Sequence, residues 1–165
     1  MDGCGSIYRY DRLFKKIIID SKYKSAHLIL GDLLKQDEIL LYKTIWKWKN
    51  LFDLVIAPVP LNAKRQDERG FNQSEIIAKH ISSRTGVPYK ELLLREKDTP
   101  HLARIKTPNE RKRAIRHAFR YMGRSAPHSV LLIDDVITTG ATIGECARVL
   151  KGVGVKNVLA FSLAK

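Results

Sequence analysis

The chain has 165 residues, and 30 Lys and Arg residues against 17 Asp and Glu residues give it a formal net charge of +13 at pH 7. This length suits one domain with a sizeable core, and the positive charge favours polyanionic partners such as diphosphate or nucleic acid. No segment approaches the roughly 18 apolar residues that span a bilayer, and residues 1–20 lack the apolar core of a secretion signal. We therefore expect a cytoplasmic protein with reduced thiols and no membrane insertion.

The N-terminal part of the chain predicts helices. Over residues 8–48 apolar residues recur at helical spacing, as Leu13 and Ile17 illustrate. Trp46 and Trp48 lie among three lysines near the end of this region. They could stack on nucleic-acid bases, although packing and partner contacts are the more frequent roles of such aromatic residues.

The apolar run Asp53–Pro58 predicts the first strand, which stops at two prolines because proline cannot continue a strand ladder. A loop with Lys64, Arg65 and Arg69 is expected to follow. Composition alone favours a solvated surface loop for these three cations.

A helix is predicted after this loop. Asn72 is a suitable N-cap, with a glutamate three residues further on, so the helix is expected to begin near Gln73 and to end at Gly86. Its apolar stripe includes Ile77 and Ile81 and should face a sheet.

The segment 95–116 is strongly basic, with eight Lys or Arg residues against three acids. Thr107 and Glu110 form a capping box with proline between them, which predicts a short helix from Pro108 to about His117. The flank 97–106 is expected to be a mobile loop. A solvated charged face and a nucleic-acid contact are both compatible with this composition.

The most informative stretch runs from Val130 to Thr142. An apolar run of the kind buried in parallel sheets ends abruptly in Asp134 and Asp135. Carboxylates at the end of such a strand are expected to reach the crevice where α/β sheets bind ligands, since burying them would be costly. The turn Thr138–Thr142 then supplies hydroxyl groups, a close-approaching glycine and the first N–H groups of a helix over 143–150.

This combination suits a ribose that carries a 5-phosphate. Carboxylates accept hydrogen bonds from neighbouring hydroxyl groups, and a nest of N–H groups binds phosphate. An Asp pair could instead bind a metal alone or serve acid–base hydrolysis. Adjacent strand residues point apart, however, which disfavours a facing acid–base pair.

Four runs are candidate strands, and helices fall between most of them. This alternation predicts an α/β fold with a parallel sheet flanked by helices. The four runs are Asp53–Pro58, Lys90–Leu94, Val130–Asp134 and Asn157–Ala164.

The stretch 130–142 resembles the phosphoribosyl-pyrophosphate motif of type I phosphoribosyltransferases. The resemblance implies the fold of that family, with a helical hood over 1–50 and a core over 51–165. It implies that Asp134 and Asp135 hold the ribose hydroxyl groups and that the turn holds the 5-phosphate. The turn consists of Thr138, Thr139, Gly140, Ala141 and Thr142.

The same resemblance implies a pyrophosphate-binding loop after the first sheet strand. The contacts would come from Val59, Pro60, Lys64, Arg65 and Arg69. The Val59–Pro60 bond is a candidate for the cis form, which remains a minority even before proline. In that family a flexible loop at the position of residues 97–106 closes over the diphosphate.

Two short motifs specifically resemble the ComF family. They are Pro-Val-Pro-Leu at 58–61 and Arg-Gly-Phe-Asn-Gln at 69–73. ComF proteins are phosphoribosyltransferase-like proteins of bacterial competence and DNA uptake. A weaker likeness is the Lys-Tyr segment at 21–24. The resemblance covers nearly the whole chain and implies possible contacts with DNA-uptake or recombination proteins.

The chain also departs from the family pattern. ComF proteins usually begin with a zinc ribbon of four cysteines, whereas this chain has only Cys4 and Cys146, so no zinc site is expected. Cys4 is expected to be an unpaired surface thiol and Cys146 a core residue. His101 and Ala114 stand where the family generally has Gln and Asn, which weakens the expectation of full transferase chemistry.

Two functional hypotheses result. In the first, the protein binds 5-phosphoribosyl 1-pyrophosphate (PRPP) with Mg²⁺ and transfers the phosphoribosyl group to an unknown acceptor. The substrate would hold the Mg²⁺ ion, and Asp134 and Asp135 are candidates for further ligands. Lys64 and Arg65 would then stabilise the pyrophosphate leaving group. In the second, the fold is retained in a single-stranded-DNA-binding accessory of transformation with weak or no turnover.

Overall fold

The structure is a computed structural model, and it describes residues 1–11, 34, 38–99, 105 and 107–165. The predicted helical stripe at Leu13 and Ile17, the Lys-Tyr segment at 21–24 and the departure at His101 lie outside these residues. Most of the predicted mobile loop lies outside them as well.

A four-stranded parallel sheet forms the centre of the described structure, with strand order β1-β6-β5-β2. A separate antiparallel pair joins β3 to β4. The strands are β1 Gly3–Tyr8, β2 Leu54–Pro58, β3 Leu93–Arg95, β4 Phe119–Tyr121, β5 Ser129–Val136 and β6 Asn157–Ala164. The helices are α1 Glu38–Leu51, α2 Ala63–Arg69, α3 Gln73–Thr85, α4 Pro108–Ile115 and α5 Ala141–Gly152. This arrangement confirms the predicted α/β class.

Burial on both faces explains why β5 is an unbroken apolar run. Val130 and Leu132 pack in the cluster that contains the apolar stripe of α5. Leu131 and Ile133 pack in the cluster on the other face, which contains Ile77 of α3. Side chains alternate between the faces of a strand, so a strand covered by helices on both sides needs apolar residues at every position.

The central sheet differs from the prediction in its fourth strand. Lys90–Leu94 was expected to supply one, but β3 begins at Leu93 and forms its ladder with β4, while Tyr89 and Arg95 make isolated bridges to Ile56 of β2 and to Asn62. The fourth strand is instead β1, in a region that was predicted to be helical from residue 8 onwards, and it pairs with β6. Its sequence contains two glycines, which weaken a strand signal. The division of the chain at residue 50 remains a prediction.

The basic loop after β2 is a helix. Asn62 caps α2 by accepting a hydrogen bond from the Lys64 backbone N–H at 3.0 Å, and Gly70 ends the helix in a left-handed conformation with φ 77°. The prediction of a loop was wrong because the seven-residue helix has no buried residue and therefore leaves no apolar periodicity in the sequence.

The caps of the two other predicted helices are confirmed. Asn72 caps α3, which ends at Gly86. The capping box of Thr107 and Glu110 opens α4. No peptide bond among the described residues is cis, so the cis form of Val59–Pro60 is not realised. None of the described helices is long and apolar enough to cross a membrane.

Candidate functional site

A cavity of about 400 Å³ opens at the carboxyl end of β5. Its lining joins one carboxyl group, a hydroxyl-rich turn and side chains from two distant parts of the chain. The lining residues are Tyr10, Arg111, Asp134, Val136, Ile137, Thr138, Thr139, Gly140, Ala141, Thr142 and Ile143. The predicted turn 138–142 therefore lies around one cavity together with Asp134.

The turn between β5 and α5 exposes backbone donors to the cavity. Gly140 is the residue before α5 and has φ 70°, a left-handed conformation that favours glycine. No side chain among the described residues caps this helix end. The first N–H groups of the twelve-residue helix are thus left without side-chain acceptors, next to three threonines, and such a cradle suits an anion.

The Asp134 carboxyl group is held in place by two donors. Its Oδ1 accepts hydrogen bonds from Ser74 Oγ and from the Asp135 backbone N–H, each at 3.0 Å. Removal from water raises the pKa of Asp134 well above its ordinary value, and the neighbouring Asp135 carboxylate raises it further. The uncharged form of Asp134 is therefore the easier one to bury.

Asp135 has a different environment. Its Oδ1 accepts a hydrogen bond from the Val136 backbone N–H at 2.7 Å, and it does not line the described cavity. Its charge raises the pKa of Tyr10, after burial as the main cause. The two carboxyl groups also interact with each other, because the charge of Asp135 and a side-chain hydrogen bond between them both raise the pKa of Asp134.

The end of β2 lies beside the end of β5 in the sheet. The Val59 N–H donates to the Ile133 carbonyl at 2.9 Å, and Asn72 Nδ2 donates to the Val59 carbonyl at 3.1 Å. Asn72 thereby ties the start of α3 to the segment that contains Pro60. Neither Val59 nor Pro60 is among the cavity-lining residues.

The three cations of α2 differ in their exposure. Lys64 is exposed, whereas Arg65 and Arg69 are half-buried. Arg65 Nη2 donates to the Thr99 carbonyl at 2.6 Å, and burial lowers the pKa of its guanidinium group, as does Arg69. These residues form a positive cluster that follows the end of β2. They do not line the cavity.

Arg95 extends this cluster into the core. It donates to the Thr99 hydroxyl group and stacks 5.7 Å from the centre of the Phe119 ring. Only 7% of its surface is exposed, and its Nε has no hydrogen-bond partner among the described residues. Burial, and then Arg65, lower the pKa of its guanidinium group. Two guanidinium groups thus converge on one threonine, and this concentration of positive charge favours an anion nearby.

Tyr10 and Arg111 were not predicted as cavity residues. In the sequence Arg111 belongs to the basic segment 95–116, and in the structure α4 packs on α5 and carries Arg111 to the turn. Its Nε donates to the Ile105 carbonyl at 2.9 Å. Tyr10 follows β1, and it was missed because this strand was not predicted.

The cysteines behave as two separate free thiols. Cys146 is fully buried in the core, as predicted, and burial raises the pKa of its thiol well above the ordinary value. Cys4 is partly buried against the same core cluster, so it is less exposed than the predicted surface thiol. In the part of the chain that the structure describes, no three His, Cys, Asp or Glu residues form a group that could hold a metal ion.

Comparisons with known proteins give relatives along nearly the whole chain. Competence protein F of Haemophilus influenzae is 27% identical over 98% of this chain and 78% of its own length. Competence protein ComFC of Streptococcus pneumoniae is 33% identical over 97% of this chain and 67% of its own length. ComFC of Bacillus subtilis is 28% identical over 97% of this chain, which spans only 63% of that relative. No family model matches the chain.

The similarity to competence proteins is consistent with the motifs that resemble the ComF family, and the structure shows where these motifs lie. The motif at 58–61 lies at the end of β2, and the motif at 69–73 lies at the junction of α2 and α3. The acid pair lies at the end of β5. With identity of this extent to the competence proteins, the chain belongs to the ComF family.

Proposed function

We propose that the protein binds PRPP together with Mg²⁺ and acts in bacterial competence and DNA uptake. The observation that carries the proposal is the cavity at the end of β5, in which the Asp134 carboxyl group and the turn 138–142 lie around one space. A sugar phosphate needs both an acceptor for its hydroxyl groups and a cradle for its phosphate.

The positions of the residues suggest a division of roles. The 5-phosphate would lie against the turn 138–142 and the first N–H groups of α5, with Arg111 as a nearby cation. Asp134 would accept hydrogen bonds from the ribose. The diphosphate on C1 would extend toward the end of β2, where Arg65 and Arg95 concentrate positive charge.

The acid pair fits a magnesium ion that the substrate carries. Carboxylate oxygens are suitable ligands, and the two carboxyl groups lie close enough to share a side-chain hydrogen bond. Two carboxylates are too few to enclose the ion, so most of its ligands would be substrate oxygens and water. When bound, Mg²⁺ would neutralise charge on the diphosphate.

The reaction that this site suits is displacement of pyrophosphate from C1 of the ribose by a nucleophile. The bond from C1 to the acceptor forms while the bond from C1 to the pyrophosphate oxygen breaks, and the oxygen keeps the electron pair. Positioning and charge stabilisation would dominate, with Arg65 and Lys64 near the leaving group. We therefore propose a phosphoribosyltransferase activity with an acceptor that remains to be identified.

Titration calorimetry with PRPP in the presence and absence of Mg²⁺ tests the proposal. We expect saturable binding that strengthens with Mg²⁺, because the ion offsets repulsion between the diphosphate and the acid pair. Ribose 5-phosphate should compete for the same site. Unchanged heat in the variant that combines Asp134→Ala and Asp135→Ala would overturn the assignment, as would a failure of ribose 5-phosphate to compete.

A second candidate function is single-stranded DNA binding, and an exposed basic surface favours it. Lys112, Arg113 and Arg116 are exposed on or just after α4. On α1, Trp46 is 50% exposed and lies 5.3 Å from the Lys49 ammonium group. Exposed cations and an exposed aromatic ring beside a cation each suit a flexible single strand, and here they lie on helices that pack on opposite faces of the sheet. The DNA and PRPP functions can coexist because they use different residues.

Salt-dependent binding of a single-stranded oligonucleotide tests this candidate. Replacing Lys112, Arg113 and Arg116 with Ala should reduce the slope of log affinity against log salt by about 2, since each lost phosphate contact removes about 0.7. The control variant removes the same charge from a distant set of exposed residues, Lys90, Arg124 and Lys156. An equal reduction in both variants would indicate nonspecific attraction and would contradict a binding surface on α4.

A further inference from the structure

Helix α1 has a buried inner face and an outer face that carries large apolar side chains. Ile45 is fully buried in the core cluster that also contains residues of α3, and Trp48 packs against the same cluster. On the outer face Ile39 is 75% exposed and Trp46 is 50% exposed, and Leu51 at the end of the helix is 63% exposed. Single exposed apolar residues are ordinary, whereas three on one helix mark a candidate interaction surface.

A groove of about 380 Å³ continues this surface at the end of α1. Lys49 links the groove to Trp46, because its ammonium group lies 5.3 Å from the centre of the Trp46 ring and donates to the Thr85 carbonyl at 2.6 Å. The groove lies at the amino end of β2, whereas the cavity of the candidate site lies at the carboxyl end of the parallel strand β5. The groove lining includes Lys49, Leu51, Phe52, Asp53, Val87 and Pro88.

The lysines around this surface have no acidic partner among the described residues. Lys43, Lys47 and Lys49 are exposed, and none of the described ion pairs includes them. Spacings of three and four residues place Lys43 beside Trp46 and Lys47 on the helix. The helix itself contains one acid, at its first residue, and the groove lining contains Asp53. Positive charge therefore outweighs negative charge along the surface.

Charge and shape together distinguish between the possible occupants. A second copy of this chain would bring lysines against lysines at a net charge of +13, which opposes association through this face. A nucleic-acid strand would satisfy the lysines and could stack on Trp46, but Ile39, Leu51 and the apolar lining of the groove offer its bases no flat partner. A peptide with both acidic and large apolar side chains would use every part of the surface.

We propose that the outer face of α1 and the adjoining groove bind an acidic segment of a partner protein that also carries large apolar side chains. Its carboxylates would lie along Lys43, Lys47 and Lys49, and its apolar side chains would cover Trp46 and Leu51 and fill the groove. The inference does not depend on the proposed PRPP site, because the groove and that cavity lie at opposite ends of the sheet.

Labelled probe peptides test the proposal by fluorescence anisotropy with the full chain. The first probe has a run of Asp and Glu residues followed by Leu and Phe. The second probe has Asn and Gln in place of the acids, and the third has Ser in place of Leu and Phe. We expect the first probe to bind at least about tenfold more tightly than either of the others, because apolar burial and several weak charge contacts both contribute.

Removing the apolar groups should affect only the probes that carry apolar residues. Trp46→Ser combined with Leu51→Ser should weaken binding of the first probe about tenfold and leave binding of the third unchanged. Met122→Ser combined with Val153→Ser is the matched control, because these side chains are also exposed and lie outside α1. The control should bind the first probe as the unmodified protein does.

Removing the charges should affect only the acidic probes. Lys43→Gln combined with Lys47→Gln should weaken binding of the first probe about fivefold at low salt and leave binding of the second unchanged. Arg124→Gln combined with Lys156→Gln removes the same charge from exposed positions elsewhere, and it should change the affinity by less than about twofold. Equal losses in the two charge variants would indicate nonspecific attraction and would overturn the proposal.

The alternative occupants give different results. A labelled oligothymidine that displaces the first probe, and that loses as much affinity in the Trp46→Ser and Leu51→Ser variant, would assign the surface to nucleic acid. Self-association of the unmodified chain in sedimentation, abolished in that variant, would assign it to a second copy. Either result would overturn the proposal, as would a first probe that binds no better than the other two.

Discussion

Replacing Asp134 with Asn is expected to weaken PRPP binding roughly 100-fold, the effect of losing about 3 kcal/mol of hydrogen bonding to a charged group. The same substitution should raise the stability of the protein at neutral pH. Asn can still accept the hydrogen bonds from Ser74 and from the Asp135 N–H, so the local structure should persist. What the variant loses is the negative charge that the ribose hydroxyl groups and Mg²⁺ would use.

The expected gain in stability follows from the direction of the pKa shift. The pKa of Asp134 in the folded protein is raised above its ordinary value of 3.8. At pH values between 3.8 and the raised pKa of the folded protein, the folded state binds more protons at Asp134 than the unfolded state does. Stability of the unmodified protein therefore falls as pH rises through this range. The Asn variant does not titrate, so its advantage should be small near pH ~4 and larger near pH ~7.

Thermal unfolding of both proteins across this range measures the advantage, and each kcal/mol should raise Tm by about 3 °C. Asp53→Asn is a matched control, because Asp53 is exposed just before the start of β2, at the opposite end of the sheet strand from the basic cluster. It should leave PRPP binding unaltered. An Asp134→Asn variant that binds PRPP normally would remove Asp134 from the site. One that is less stable at every pH would contradict the raised pKa.

Replacing Arg65 with Gln should weaken PRPP binding by about 10- to 100-fold, the effect of losing a partly buried charge-assisted contact. The affinity for ribose 5-phosphate should change by less than about twofold. The reason is location, since Arg65 lies at the end of β2 and the turn proposed for the 5-phosphate follows β5. Only a ligand with a diphosphate on C1 would reach Arg65.

Substitutions of other cations should weaken PRPP binding less than Arg65→Gln does. Lys64→Gln should weaken PRPP binding only about threefold, because an exposed cation is screened by water and salt. Lys90→Gln removes an equal charge from an exposed site outside the cluster and serves as the control. Calorimetry with both ligands measures all three variants. Equal losses for PRPP and ribose 5-phosphate in Arg65→Gln would place Arg65 at the 5-phosphate and contradict the proposed roles.

Several elements could be predicted from the sequence because their signals are local. The apolar run before Asp134 indicates a strand that is buried on both faces, and the structure has β5 there with both faces covered. Asn72 and the capping box at Thr107 mark helix starts through side chains that bind backbone N–H groups one turn away. Such signals need no knowledge of the distant chain.

The turn 138–142 was predictable for the same reason. Its glycine and hydroxyl groups lie within five consecutive residues, and the structure places all five around one cavity with Asp134. The sequence also predicted that Asp134 and Asp135 would point apart, because adjacent strand residues point to opposite sides. The structure differs here, since the two carboxyl groups share a side-chain hydrogen bond at the end of β5.

Other features depend on contacts between distant parts of the chain. β1 is a strand because β6 pairs with it, and its glycine-containing sequence has little intrinsic preference for that conformation. The same pairing brings Tyr10 to the cavity across more than a hundred residues of chain. Arg111 reaches the turn because α4 packs on α5.

The amino-acid sequence by itself thus determined the family, the α/β class and the position of the acid pair and the turn 138–142 after a buried strand, since each depends on short runs of neighbouring residues. Tertiary structure alone decided which side chains complete the cavity. It joined Arg65 and Arg95 through Thr99, and it placed Tyr10 on the side away from that cluster. Sequence spacing does not encode these arrangements, because they arise from strand order and from packing between elements that are remote in the chain.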